Sequence, residues 1–139
     1  MKRITILLLA CVAVLFATAI QAAEVKIIAN PSVGASSVSA ELKRVFLLEK
    51  NALDDGSRVE PVVAKGGSTH EAFLREYLSK TDSALQTYYR SLVFTGKASM
   101  PKTLVSEAEV AAFVAKTKGA IGYVSASTAA PGTKTLEVK

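Results

Sequence analysis

Lys65-Gly66-Gly67-Ser68-Thr69 is the segment whose residue types and spacing are best suited to chemistry. It falls where a strand pattern gives way to a helix pattern. The first N–H groups of a helix have no partner within it, and the helix dipole places about half a positive charge there. Two glycines let the backbone come close to a ligand, Ser68 and Thr69 add hydroxyl donors, and Lys65 adds a cation. A phosphate or carboxylate oxygen suits such a cradle. A purely local role competes with this one. Ser68 with Glu71 three residues later has the form of a capping box, and Gly-Gly before a helix is a common turn. Both assignments stand at this point.

Other combinations are poorer. His70 is the only histidine, and at the first turn of a helix it is expected to be an exposed polar residue. Cys11 is the only cysteine and lies in an apolar leader, so no soft ligand set forms around His70 and neither a metal nor a cofactor is expected. Asp54-Asp55-Gly56 lacks the acidic ladder and closing Glu of a calcium loop and reads as a turn. No Gly-x-Ser-x-Gly elbow, Walker loop or dinucleotide fingerprint occurs. Glu71 and Glu76, five apart on a helix, diverge. The chain does not read as an enzyme.

The elements that must position the cradle alternate between strand and helix. Glu24–Ala29 alternates as a strand and ends at Asn30-Pro31, before a Ser- and Gly-rich loop. Ser39 is placed to cap a helix with the stripe Leu42, Val45, Phe46 and Leu47 or Leu48. After the turn at Asn51–Gly56, a strand over Arg58–Ala64 contains Pro61, which suggests an edge or a strand start. The helix opened by Ser68 buries Phe73, Leu74, Tyr77 and Leu78. The next carries Leu85, Tyr88, Tyr89 and Leu92, with the aromatics in the core, and runs out at Gly96. A fourth begins with the capping box Ser106/Glu109, buries Val110, Phe113 and Val114, and stops at Gly119. Ala120–Val124 is a short apolar strand, and Thr135–Val138 a last one after Pro131-Gly132. This order predicts an α/β layer structure.

The first 23 residues stand apart. Lys2 and Arg3 precede an apolar run from Ile4 to Ile20, and Gln21-Ala22-Ala23 closes it. That is the pattern of a cleavable secretory signal peptide, 1–23, leaving 24–139 as one domain. The run is short for a membrane span, and Cys11 after Leu8-Leu9-Ala10 reads as an ordinary residue of the signal rather than a lipidation site. Losing Lys2 and Arg3 lowers the formal net charge of +5 by two. The remaining cations are scattered among acids without interleaved aromatics, so no nucleic acid is expected as a partner.

Six short motifs, in order, resemble the second lobe of the periplasmic phosphate-binding proteins of ABC transporters. They are Ile28-Ala29-Asn30-Pro31, Val45-Phe46-Leu47-Leu48-Glu49-Lys50, Asp55-Gly56-Ser57-Arg58-Val59-Glu60-Pro61-Val62, Phe94-Thr95-Gly96-Lys97, Pro101 with Ser106, and Gly119-Ala120-Ile121-Gly122-Tyr123-Val124. In the second, Leu48 stands where the family has glycine. The resemblance covers about Val25–Val138 and implies a single lobe of a type 2 periplasmic-binding-protein fold, a small mixed sheet flanked by about four helices. It also implies an exported, periplasmic solute-binding-like protein for phosphate or another small anion. The family's Arg-Ser-Asp-Gly-Ser-Gly-Thr is here Ala64-Lys65-Gly66-Gly67-Ser68-Thr69-His70, without the arginine and aspartate. Gly67, Ser68 and Thr69 carry over as anion contacts, with Lys65 standing in for the arginine. One lobe supplies half a cleft. The resemblance therefore implies a homodimer or a membrane or envelope partner, or, alternatively, a scaffold module that kept the fold and lost the ligand.

Overall fold

A computed structural model describes residues 24–139, and the signal-peptide assignment to 1–23 lies outside the described residues. The strands are β1 (Val25–Ala29), β2 (Ser37–Val38), β3 (Glu60–Ala64), β4 (Lys102–Leu104), β5 (Ala120–Ser125) and β6 (Lys134–Val138). The helices are α1 (Glu41–Phe46), α2 (Ser68–Phe73), α3 (Asp82–Phe94) and α4 (Glu107–Lys116). α2 continues directly into a π-helical turn over Leu74–Leu78.

The strands form one six-stranded mixed sheet in the order β2-β6-β1-β5-β3-β4. β1 pairs antiparallel with β5 and β6, while β2–β6, β3–β5 and β3–β4 are parallel. Five strands therefore end on the same side of the molecule, at Val38, Ala64, Leu104, Ser125 and Val138, and only β1 runs against them. Both faces are covered. Ile27, Ala29, Val63, Ile121 and Tyr123 pack against Leu42, Phe46, Phe73, Leu74, Leu85 and Tyr89 from α1, α2, the π turn and α3. The alternate residues Ile28, Val62, Ala120 and Val124 meet Val110, Ala111 and Val114 of α4. A strand covered on both faces has no polar positions, which is why β5 reads as an unbroken apolar run.

Several local expectations are corrected. Of the two places open to Pro61, an edge or a strand start, the first is excluded because β3 lies between β5 and β4, and the second holds. Pro61 sits at the strand start, where β5 already pairs at Glu60 and Pro61 but β4 joins only at Val62. The missing N–H thus interrupts no ladder. Ser39 does not cap α1; Ala40 holds that position without a side-chain bond. The edge strands β2 and β4 are too short to show periodicity in sequence. Tyr88 and Tyr89 do more than fill space: their hydroxyls donate to the carbonyls of Leu47 and Phe46 at 2.6 Å, satisfying the otherwise open C-terminal end of α1. Just beyond, Leu48 adopts φ 60, the left-handed geometry that glycine favours after a helix. This agrees with the glycine of the resembling motif.

Gly119 closes α4 onto β5 with φ 76, and a Cβ there would lie 2.8 Å from the Arg58 carbonyl oxygen. Asn30, at the end of β1, donates its Nδ2 to Val114 and Ala115, covering the last carbonyls of α4.

Candidate functional site

Lys65–Thr69 follows β3 at the end of the molecule where the five parallel strands finish. Open α/β sheets bind ligands outside the carboxyl ends of their strands. The Lys65 N–H donates to the Leu104 carbonyl and ties the segment to the edge strand. Lys65, Gly66, Gly67 and Ser68 are exposed, and Thr69 is half-buried. The four expected anion contacts, Lys65, Gly67, Ser68 and Thr69, are therefore together and reachable from solvent.

The capping box expected at Ser68 does not form. Gly67 occupies the N-cap at φ 100 and ψ 168, with no side-chain cap, and Ser68 is the first helical residue. The first helical bond runs from the Glu71 N–H to the Gly67 carbonyl at 3.0 Å. The backbone N–H groups of Ser68, Thr69 and His70 find no acceptor among the described residues, nor do the Ser68 and Thr69 hydroxyls or the Lys65 ammonium find partners. Donors left open in this way can take an oxyanion.

Beneath this surface lies a polar chain that sequence reasoning missed. His70 is not exposed but 1% accessible. Its Nδ1 is 2.5 Å from the Tyr123 hydroxyl, and its Nε2 is 2.7 Å from Asp82 Oδ1. Tyr123 in turn receives the Ala64 N–H at 3.0 Å. One assignment satisfies every group: Ala64 donates to Tyr123, Tyr123 to Nδ1, and Nε2–H to the Asp82 carboxylate. Burial first, and the charges of Tyr89 and Asp82 after it, push the Tyr123 phenol far up, against the lowering effect of the Ala64 bond. The ring stacks on Phe73 with centroids 3.8 Å apart. This chain joins the end of β3, the start of α2, the centre of β5 and the start of α3. It therefore fixes where the open helix start sits. Asp82, at the outer end, is 46% exposed and lines a surface groove of about 610 Å³ with Arg75 and Lys80.

No family model matches the chain, and no curated protein does. Solved structures do. A protein of Clostridium perfringens assigned as a phosphate ABC transporter substrate-binding protein, with bound phosphate, aligns at TM-score 0.63 and 13% identity over 83% of this chain and 44% of its own. An ABC-type phosphate transport receptor of Vibrio cholerae aligns at 0.58 and 14% over 83% and 46%. PstS of Borrelia burgdorferi aligns at 0.63 and 15% over 84% and 47%. The fold is similar to that of one lobe of these substrate-binding proteins. The chain spans less than half the length of each of these three proteins, so the lobe described above is all that it shares with them. The identities are those of a common fold rather than of a common ligand.

Proposed function

We propose that the chain is an exported, non-catalytic solute-binding-like protein of the bacterial envelope, taking phosphate or another small anion at Lys65–Thr69. The open N–H groups of Ser68, Thr69 and His70 carry this reading, because they meet two hydroxyls and a lysine on an exposed helix start in a receptor-like lobe. The leader pattern over 1–23 supports export to the periplasm. Similarity to receptors of phosphate transport supports a place in ABC-type uptake. A single lobe leaves the ligand facing water, which weakens every contact it makes. A second copy or an envelope protein would supply the missing wall.

One observation favours the alternative, an envelope interaction module without a ligand. Phe94 is 93% exposed at the end of α3 beside an exposed Val93, and Met100 and Val105 are open to solvent in the segments that follow. Such apolar surface is more typical of a docking protein than of a free receptor.

Calorimetric titration of the protein with phosphate separates the two. The anion reading expects saturable binding with a dissociation constant of about 1 mM, or roughly 4 kcal/mol. Binding should vanish in the Ser68→Ala, Thr69→Ala double variant. Absence of heat up to several times that concentration rejects anion binding and leaves the interaction module.

A further inference from the structure

Among the described residues, one buried side-chain oxygen has no hydrogen-bond partner: Oε2 of Glu41. Glu41 is the first residue of α1 and is 8% exposed. It lines a cavity of about 310 Å³ together with Ser37, Ser39, Asp54 and Lys139. Asp54 comes from the Asn51–Gly56 turn, which is held by bonds from the Leu53 N–H to Ser57 and from the Gly56 N–H to Leu53. This turn brings the Asp54 carboxylate into the wall of the same cavity that the unpartnered Glu41 oxygen lines. Two ionised carboxylates present only acceptors to each other and repel, so one of them needs a proton for a bond to form between them.

We propose that Glu41 carries this proton and donates it to the Asp54 carboxylate, forming a latch between α1 and the Asn51–Gly56 turn that opens as pH rises. The groups around the pair agree with this assignment of acid and carboxylate. Lys50 Nζ is bonded to Asp54, and Arg44 acts on Asp54 from the exposed side of α1. Asp55 is turned away, accepting from the Ser57 N–H and hydroxyl. Lys139 is the other charged residue lining the cavity. The bond to Asp54, then burial, then the Asp54 charge push the Glu41 carboxyl up, against the pull of Lys50 and the Ser39 N–H. The same bond and Lys50 hold Asp54 down.

The direction of the pH effect follows. A carboxyl raised on folding stabilises fully below its unfolded pKa, and that contribution disappears as pH rises through the folded value. The lowered Asp54 behaves oppositely and loses its contribution only as acid protonates it. The latch therefore holds between the two titrations. Above the upper one, two charged carboxylates face each other and the turn loosens.

Two measurements on the protein test this: carbon NMR titration of the Glu41 and Asp54 carboxyls, and urea unfolding of the wild type and Glu41→Gln from pH 4 to 9. The Glu41 carbon is expected to titrate above the usual value of about 4.3. Asp54→Asn should return it toward that value. Glutamine retains a donor to Asp54, so its stability should stay level. Relative to it, the wild-type folded-to-unfolded ratio should drop about tenfold for each unit by which Glu41 is raised. If the glutamine variant does not fold, the wild-type titration alone decides. A Glu41 carbon titrating in the ordinary carboxylate range overturns the latch. So does a saturable calcium-dependent shift of both carbons while both are ionised, which would make the pair a cation site.

Discussion

Two regions of this lobe, β5 with the Gly119 turn before it and the helix start at Lys65–Thr69, both rely on glycine but under opposite constraints. Gly119–Val124 is enclosed by the sheet and α4, and its residues from Ala120 to Val124 are buried. Lys65–Ser68 is exposed, with donors that have no internal partner. The first is where the chain most resembles phosphate receptors in sequence. The second is where it departs from them. The likeness to the solved structures is one of fold and therefore resides in packing requirements. Nothing in those requirements constrains the part of the surface that would meet a ligand.

Replacing glycine by alanine in each region is the strongest way to break the comparison. At Gly119 a side chain would add left-handed strain to a 2.8 Å approach to the Arg58 backbone oxygen, which cannot swing aside. Gly119→Ala should cost about 3 kcal/mol in urea unfolding. Gly67 has φ 100 and ψ 168, a backbone region that essentially only glycine enters, but open space where a Cβ would stand, so Gly67→Ala should cost about 2 kcal/mol, the strain alone. Equal losses would mean that the helix start is as tightly enclosed as the strand.

The two regions also differ in how much of them could be read from sequence. The apolar run of β5, the stop at Gly119 and the Ser106 cap are local patterns, and each formed where the spacing put it. The helix start was legible as a position but not in detail. Ser68 followed by Glu71 has the letters of a capping box, yet Gly67 took the cap because its positive φ turned the backbone before the serine. His70 was misread because its burial depends on Tyr123, 53 residues away, and on Asp82, 12 residues away. Spacing cannot reveal partners that only the fold brings together. The same holds for Tyr88 and Tyr89, whose stripe predicted burial correctly but whose bonds reach carbonyls more than 40 residues back. Short edge strands and the π turn leave no periodicity to detect.

Tyr123 joins the two regions, so its hydroxyl is the next most informative group. Tyr123→Phe keeps the ring on Phe73 but leaves the buried Ala64 N–H and His70 Nδ1 without their partner. A buried group stripped of its bond costs about 2 kcal/mol. Tyr88→Phe is a suitable control, since its hydroxyl is only part-buried and should cost about 1 kcal/mol. Should Tyr123→Phe be no worse than Tyr88→Phe, the polar chain beneath the helix start is not holding β3 and α2 together.

The smallest expected effect sharpens the contrast most directly, because it compares two serines at two helix starts. Ser106 Oγ accepts the Glu109 N–H at 3.2 Å, and Glu109 Oε2 receives the Val105 N–H at 3.0 Å, so α4 has a working cap. Ser106→Ala should therefore cost about 1 kcal/mol. Ser68 makes no such bond and is exposed, so Ser68→Ala should change stability by less than about 0.5 kcal/mol. Any role for Ser68 must then show in anion binding rather than in folding. If instead both serines cost the same, Ser68 caps α2 in solution, its hydroxyl is already engaged, and the donors proposed to meet an anion are fewer by one.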